Sequence, residues 1–193
     1  MLIKSMNKLP IKFFLTQEQW RTWLANNYQK PGVWLKFYKK NSGIKSLAYS
    51  QALDEALCFG WIDGQSKSLD DKAYLQKFVP RGPKSVWSQI NTQYVARLIK
   101  EAKMTSFGLQ KVEDAKKDGR WERAYASSKN AVIPEDFLNE LKKNSNANKF
   151  FQSLNKTNLY AIYYRLISPK KEETREKRKR EIIKMLAQGK KLH

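Results

Sequence analysis

Ala56-Leu57-Cys58-Phe59-Gly60-Trp61-Ile62-Asp63-Gly64-Gln65 is the run whose reading decides the fold. Upstream of it, Ala52, Leu53, Ala56 and Leu57 line one side of a helix. Ser50 is placed to cap that helix, and Gly60 to end it in the left-handed conformation. Trp61 then opens a strand that runs to Ser68, with Trp61, Asp63 and Gln65 on one face and Ile62 on the other. Leu69-Asp70-Asp71-Lys72 turns the chain into a second strand, Ala73 to Val79, which Pro80 and Pro83 end. A helix that leads through a glycine turn into a hairpin is an α+β pattern.

The upstream segment adds one helix and one strand. Thr16 caps a helix over Gln17 to Asn26; Gln19 closes a capping box, and Leu15 with Trp20 makes a hydrophobic staple. Trp20, Trp23 and Leu24 share its apolar face. After the Pro31-Gly32 break, Val33, Leu35 and Phe37 alternate with Trp34, Lys36 and Tyr38, which predicts a strand buried on the first of these faces.

Downstream, Phe78-Val79-Pro80-Arg81-Gly82-Pro83-Lys84-Ser85-Val86-Trp87-Ser88-Gln89-Ile90-Asn91 leads into a helical half. Trp87, Ile90, Asn91, Tyr94, Val95, Leu98, Ile99 and Ala102 follow the i, i+3, i+4, i+7 rule. A further helix runs from Ser106 to Asp118-Gly119, and another opens at Pro134. Two more carry the stripes Ala147, Phe150, Phe151, Leu154 and Leu159, Ile162, Tyr163, Leu166, Ile167. Ser168-Pro169 opens the last helix and Gly189 ends it. Its charged first half, with Glu173–Lys177 and Glu176–Arg180 pairs, reads as solvated; Ile182, Ile183, Met185 and Leu186 dock the second half. The expectation is therefore an α+β fold: a small antiparallel sheet of about three strands with flanking helices over residues 1–104. A helical C-terminal region, residues 105–193, ends in a basic helix.

The chain has 193 residues and a formal net charge of +20. From Lys142 onward, 15 Lys and Arg face 4 Asp and Glu. Such a field favours polyanions, nucleic acid first, or serves solubility alone. No apolar run reaches the roughly 18 residues of a membrane span. Met1 to Lys8 lack the apolar core of a signal peptide, and Cys58 is the single cysteine, so a cytoplasmic home is expected.

The residue inventory narrows the chemistry. His193 is the only histidine and stands last, which removes serine- or cysteine-based triads and His/Cys zinc sites. No standard nucleotide loop is present, and no catalytic residue, cofactor or metal ligand is assigned. Cys58 reads as a small buried hydrophobe.

Two readings of the central segment stay open. Asp63 is either a functional carboxylate, with Glu55, Asp70 or Asp71 as a second, or the partner of a cation such as Arg81. Ser85 or Ser88 caps the long helix, so Arg81 and the helix amides either build an anion pocket or are structural. The ligand-pocket candidates are Trp61, Asp63, Gln65, Arg81, Ser85, Trp87, Ser88 and Asn91. Trp34, Trp61 and Trp121 are tied to no stripe, and one or two of them can offer a stacking platform. Arg175, Arg178 and Lys179 of the last helix are the polyanion-binding candidates.

Several of these motifs resemble the bacteriocin-protection, YdeI/OmpD-associated family. They are Glu55 to Asp63; Pro80-Arg81 with Ser85, Trp87-Ser88 and Asn91; Gly119-Arg120-Trp121 with Ala124-Tyr125; and Ser168 to Arg175. The similarity runs from about Trp20 to Gly189, and the Cys58 to Asp63 run is its most specific part. The resemblance implies a bacterial, cytosolic protein linked to stress or bacteriocin tolerance. A grouping with YjbR/CyaY-like proteins implies a small antiparallel sheet with flanking helices. It carries over no catalytic residue. The resulting expectation is a non-enzymatic protein that binds an anionic partner such as nucleic acid. The alternative is an enzyme or small-ligand protein with a pocket around Asp63 and Arg81.

Overall fold

The computed structural model describes residues 9–192. The readings of Met1 to Lys8 and of His193 fall outside the described residues. The chain divides into two compact units, Met1–Ser85 with Gln93–Asp118, and Val86–Thr92 with Gly119–His193.

In the first unit a four-stranded sheet has the order β1-β2-β4-β3. Its antiparallel part is the expected three strands: β2 (Val33–Tyr38), β3 (Trp61–Ser68) and β4 (Ala73–Pro80). β1 (Ile11–Lys12) adds a parallel edge to β2. Two residues carry no alternation to read, so this fourth strand has no sequence signal. The hairpin turn is an Asx turn, with Asp70 Oδ1 accepting from the amides of Lys72 and Ala73 at 2.7 Å each.

Two helices cover one face of the sheet. α1 (Gln17–Asn27) places the Trp20 ring 5.8 Å from Phe78 and 6.4 Å from Trp61. α2 (Tyr49–Cys58) sets Tyr49 6.3 Å from Phe37. Val33, Leu35, Phe37 and Phe78 are buried beneath them. Trp20 is wholly buried and its indole N–H donates to Ala52 O at 3.0 Å. Truncating such a residue to alanine costs about 3–5 kcal/mol.

The helix starts differ in detail from the expectation. Thr16 caps α1, but the Gln19 side chain accepts from the Leu15 amide, one residue upstream of a capping box. Leu15 is 54% exposed and makes no staple. Ala48, not Ser50, precedes α2, because the Gln51 side chain accepts from the Ala48 amide. Gly60 does end α2 with φ of +71°. Glu55 is buried and accepts from Arg21 Nη1 and Gln17 Nε2, both at 2.6 Å, so its charge is compensated inside the unit.

α3 (Gln89–Lys100) is less buried than its stripe implies. Val95 and Leu98 are buried, while Ile90, Tyr94 and Ile99 are each about two-fifths exposed. The inward arc is narrower than the apolar arc. Ala102 lies past the helix end with φ of +53°; its amide bonds to Ile99 O and that of Lys103 to Leu98 O. α4 (Ser106–Lys117) is capped by Thr105, whose hydroxyl also donates to Cys58 O at 2.6 Å. A Cβ on Gly108 would collide with that same carbonyl.

The second unit is helical: α5 (Glu135–Lys142), α6 (Ser145–Gln152), α7 (Lys156–Ile167) and α8 (Glu172–Ala187). Phe137, Leu141, Phe151, Ile162, Leu166, Ile182 and Leu186 form its core. A short parallel bridge joins Ser88 to Tyr125, and Trp87 packs on Trp121 at 4.9 Å. Ser168 closes α7 rather than opening α8, which starts after Lys171. Among the described residues no helix is long and apolar enough to cross a membrane.

Candidate functional site

The junction at Gly60 orders the signature residues of the first unit. The left-handed turn swings the chain from α2 into β3 and points Trp61 into the core, where it is 1% exposed. Its indole N–H donates to Tyr28 O at 2.8 Å. Asp63 is half-buried on the same face, and its Oδ2 accepts from the Tyr49 hydroxyl at 2.7 Å. Burial first, and then this carboxylate, push the Tyr49 hydroxyl well above the ordinary tyrosine pKa. The partner of Asp63 is thus a phenol of α2 rather than Arg81.

A β-bulge between Asp63 and Ser66 shifts the register, so that Ser66 pairs with Gln76. Gln65 therefore does not continue the face of Trp61 and Asp63, as plain alternation predicts; it is exposed. The Gln76 side chain donates to Gly64 O at 2.8 Å and holds the bulge. Arg81 is 4% exposed, and its amide donates to Gly60 O at 2.9 Å. Ser85 Oγ accepts from the Gly82 amide and closes a turn.

Trp87, Ser88 and Asn91 belong to the second unit. Trp87 is 2% exposed. Ser88 Oγ accepts from the Asn91 amide at 3.1 Å and is the cap of α3.

The basic residues of α8 are engaged within their unit. Arg175 Nη2 reaches Asp136 Oδ1 at 2.6 Å and Lys179 Nζ reaches Asp136 Oδ2 at 3.1 Å. Arg175 also pairs with Glu172, and Lys179 with Glu176. Two cations of this half thus reach Asp136 of α5, while Glu173, Thr174, Lys177 and Arg180 stay exposed on the solvated face. The hydrogen bond from Arg175, with that from Lys179, lowers the Asp136 carboxyl to about 2. Arg178 Nη1 donates to Arg165 O at 3.1 Å and Ser168 Oγ at 3.0 Å.

The sheet face opposite α1 and α2 has a different character. β2 contributes Trp34, Lys36 and Tyr38 to it, and β4 contributes Leu75 and Lys77. After the bulge β3 contributes Lys67, in register with Leu75. The Lys67 ammonium stands 4.7 Å from the centre of the Trp34 ring, and that of Lys36 stands 4.5 Å from Tyr38. Phe13 meets Tyr38 edge-on at 5.6 Å and is 41% exposed. Trp34 and Tyr38 are half-buried, their rings neither sunk in a core nor free of packing. Asp63, the only acid in the four strands, lies on the other face. The result is a platform of three aromatic rings and three lysines.

Of the three tryptophans without a stripe, Trp34 alone is thus set on an open, basic face. The alternation of β2 already assigned Trp34, Lys36 and Tyr38 to one side. Lys67 and Lys77 join them through strand register, and Phe13 through the parallel edge; neither relationship is local in sequence.

Residues 12–111 match a family described as a domain of unknown function, DUF8412. Residues 130–189 match the family described as bacteriocin-protection, YdeI or OmpD-associated. The second match covers the Ser168 to Arg175 motif and supports the resemblance read from the residues. The Cys58 to Asp63 run lies within the first match. No curated protein and no solved structure matches the chain.

Proposed function

We propose, starting from a chain that belongs to the DUF8412 family and carries a C-terminal stretch similar to the bacteriocin-protection family, that it is a non-enzymatic, cytoplasmic, bacteriocin-protection-associated protein that binds single-stranded nucleic acid. The open sheet face is the binding surface. The observation that carries this reading is the pairing of Lys67 with Trp34 and of Lys36 with Tyr38 on a face without a carboxylate. Unstacked bases lie on aromatic rings irrespective of sequence, worth about 1–3 kcal/mol per base, while lysines follow the phosphates. Duplex DNA offers no exposed base faces, so the same surface discriminates against it. The α8 cations contribute less, because Asp136, Glu172 and Glu176 already neutralise Arg175 and Lys179.

The test is titration of the full chain with labelled single-stranded DNA and RNA, and with duplex of equal length, at several salt concentrations. Tighter binding of the single strands, weakened by salt, supports the reading. Equal affinity for duplex, or affinity indifferent to salt, overturns it.

A further inference from the structure

The α7–α8 corner forms a half-open pocket of about 520 Å³, within the size range of small-molecule sites. Its polar lining is Tyr164, Arg165, Ser168 and Arg178; Val86, Ala161 and Leu192 supply apolar wall. Among the described residues no acidic one lines it. Arg178 is held in a fixed orientation, since Nη1 gives its hydrogens to the Arg165 carbonyl and to the Ser168 hydroxyl. Those bonds leave the other side of the guanidinium, the Nε–Nη2 edge, which presents two parallel N–H donors. That edge matches the two oxygens of a carboxylate. Arg165 adds a second cation, tied to Glu181 only at 3.6 Å and 47% exposed.

We propose that this pocket is a binding site for a small organic anion, a carboxylate with a short apolar body. The carboxylate lies on the Nε–Nη2 edge of Arg178 with Arg165 beside it, and the apolar body lies along Val86, Ala161 and Leu192. The orientation of Arg178 is set before the ligand arrives, which reduces the ordering needed on binding. Ser168 is thereby explained: it closes α7 in the backbone and anchors the guanidinium with its side chain. The site lies within the second unit and is independent of the sheet platform.

The test is an NMR titration of the full, isotope-labelled chain with hexanoate, and in parallel with hexanol and with inorganic phosphate. Saturable shifts centred on Val86, Ala161 and Ser168 are expected for hexanoate. Hexanol lacks the charge and phosphate lacks the apolar body, so each should bind at least roughly tenfold more weakly. Arg178→Lys removes the two-donor edge and should weaken hexanoate by roughly tenfold or more. Ala161→Phe fills the pocket while leaving Arg178 anchored, and should abolish the shifts even if Arg178→Lys proves unfolded. No saturable shift with hexanoate overturns the site. So does equal binding of hexanol or phosphate, or hexanoate affinity unchanged by Ala161→Phe.

Discussion

The Lys67 ammonium lies over the Trp34 ring, 4.7 Å from its centre, across the bulged side of the sheet. A cation over an indole at this distance contributes about 0.5–1 kcal/mol at an exposed site, so the pair is ordered but readily opened. A base stacking on the indole would displace the ammonium toward the neighbouring phosphate. Trp34→Ala is therefore expected to weaken single-strand binding by roughly 5- to 150-fold, the equivalent of one stacked base. Trp34→Phe should recover much of the loss, and the far-UV circular dichroism of both variants should match the parent. Unchanged affinity in Trp34→Ala would remove the ring from the site.

Ala102 closes α3 in the left-handed region at φ of +53°, with the Lys103 amide on Leu98 O. An alanine there carries about 1–2 kcal/mol of backbone strain, partly offset by the freedom a glycine adds to the unfolded chain. Ala102→Gly should raise stability by roughly 0.5–1 kcal/mol, read as a higher urea midpoint with the slope unchanged. A lower midpoint would contradict the assignment of Ala102 as the helix-terminating residue.

Asp136 accepts from Arg175 and Lys179, and these bonds lower its carboxyl from 3.8 to about 2. The depressed folded value means that its contribution is fully present above about pH 4 and is lost as pH falls toward 2. Its side chain is 45% exposed, so screening limits the effect to about 1 kcal/mol or less. Asp136→Asn should lower the urea midpoint at pH 7, and the gap to the parent should close between pH 4 and pH 2. A gap that persists at pH 2 would show that the residue acts by packing rather than charge.

Cys58 is wholly buried at the end of α2, and burial pushes its thiol up to about 11. The folded chain should leave an aromatic disulfide reagent unreacted at pH 8, and release one equivalent of thiol in denaturing urea. Rapid reaction of the native protein would contradict the packing of α2 against Thr105 and Gly108, which closes over this residue.

Much of the first unit was legible because its signals are local. The alternation of Val33 to Tyr38, the left-handed Gly60 and the hairpin around Asp70 are each decided within a few residues. What escaped depends on partners distant in the chain. β1 is too short to show a period, and the bulge that redirects Gln65 is visible only when β3 is set against β4. Composition likewise made the α8 cations look available, whereas Asp136, some forty residues upstream, meets two of them. The platform itself was half legible: β2 showed Trp34, Lys36 and Tyr38 together, and strand order supplied Lys67 and Lys77.

The central claim is that the lysines of the open sheet face contact phosphates. Each phosphate contact with a single strand contributes a slope of about −0.7 to the dependence of log affinity on log salt concentration. The most direct measurement compares that slope for the parent and for a variant carrying Lys36→Ala, Lys67→Ala and Lys77→Ala, on one single-stranded oligonucleotide. The account predicts that removing the three lysines makes the slope shallower by about 2 and weakens binding at low salt. An unchanged slope in a variant that is still folded would contradict it.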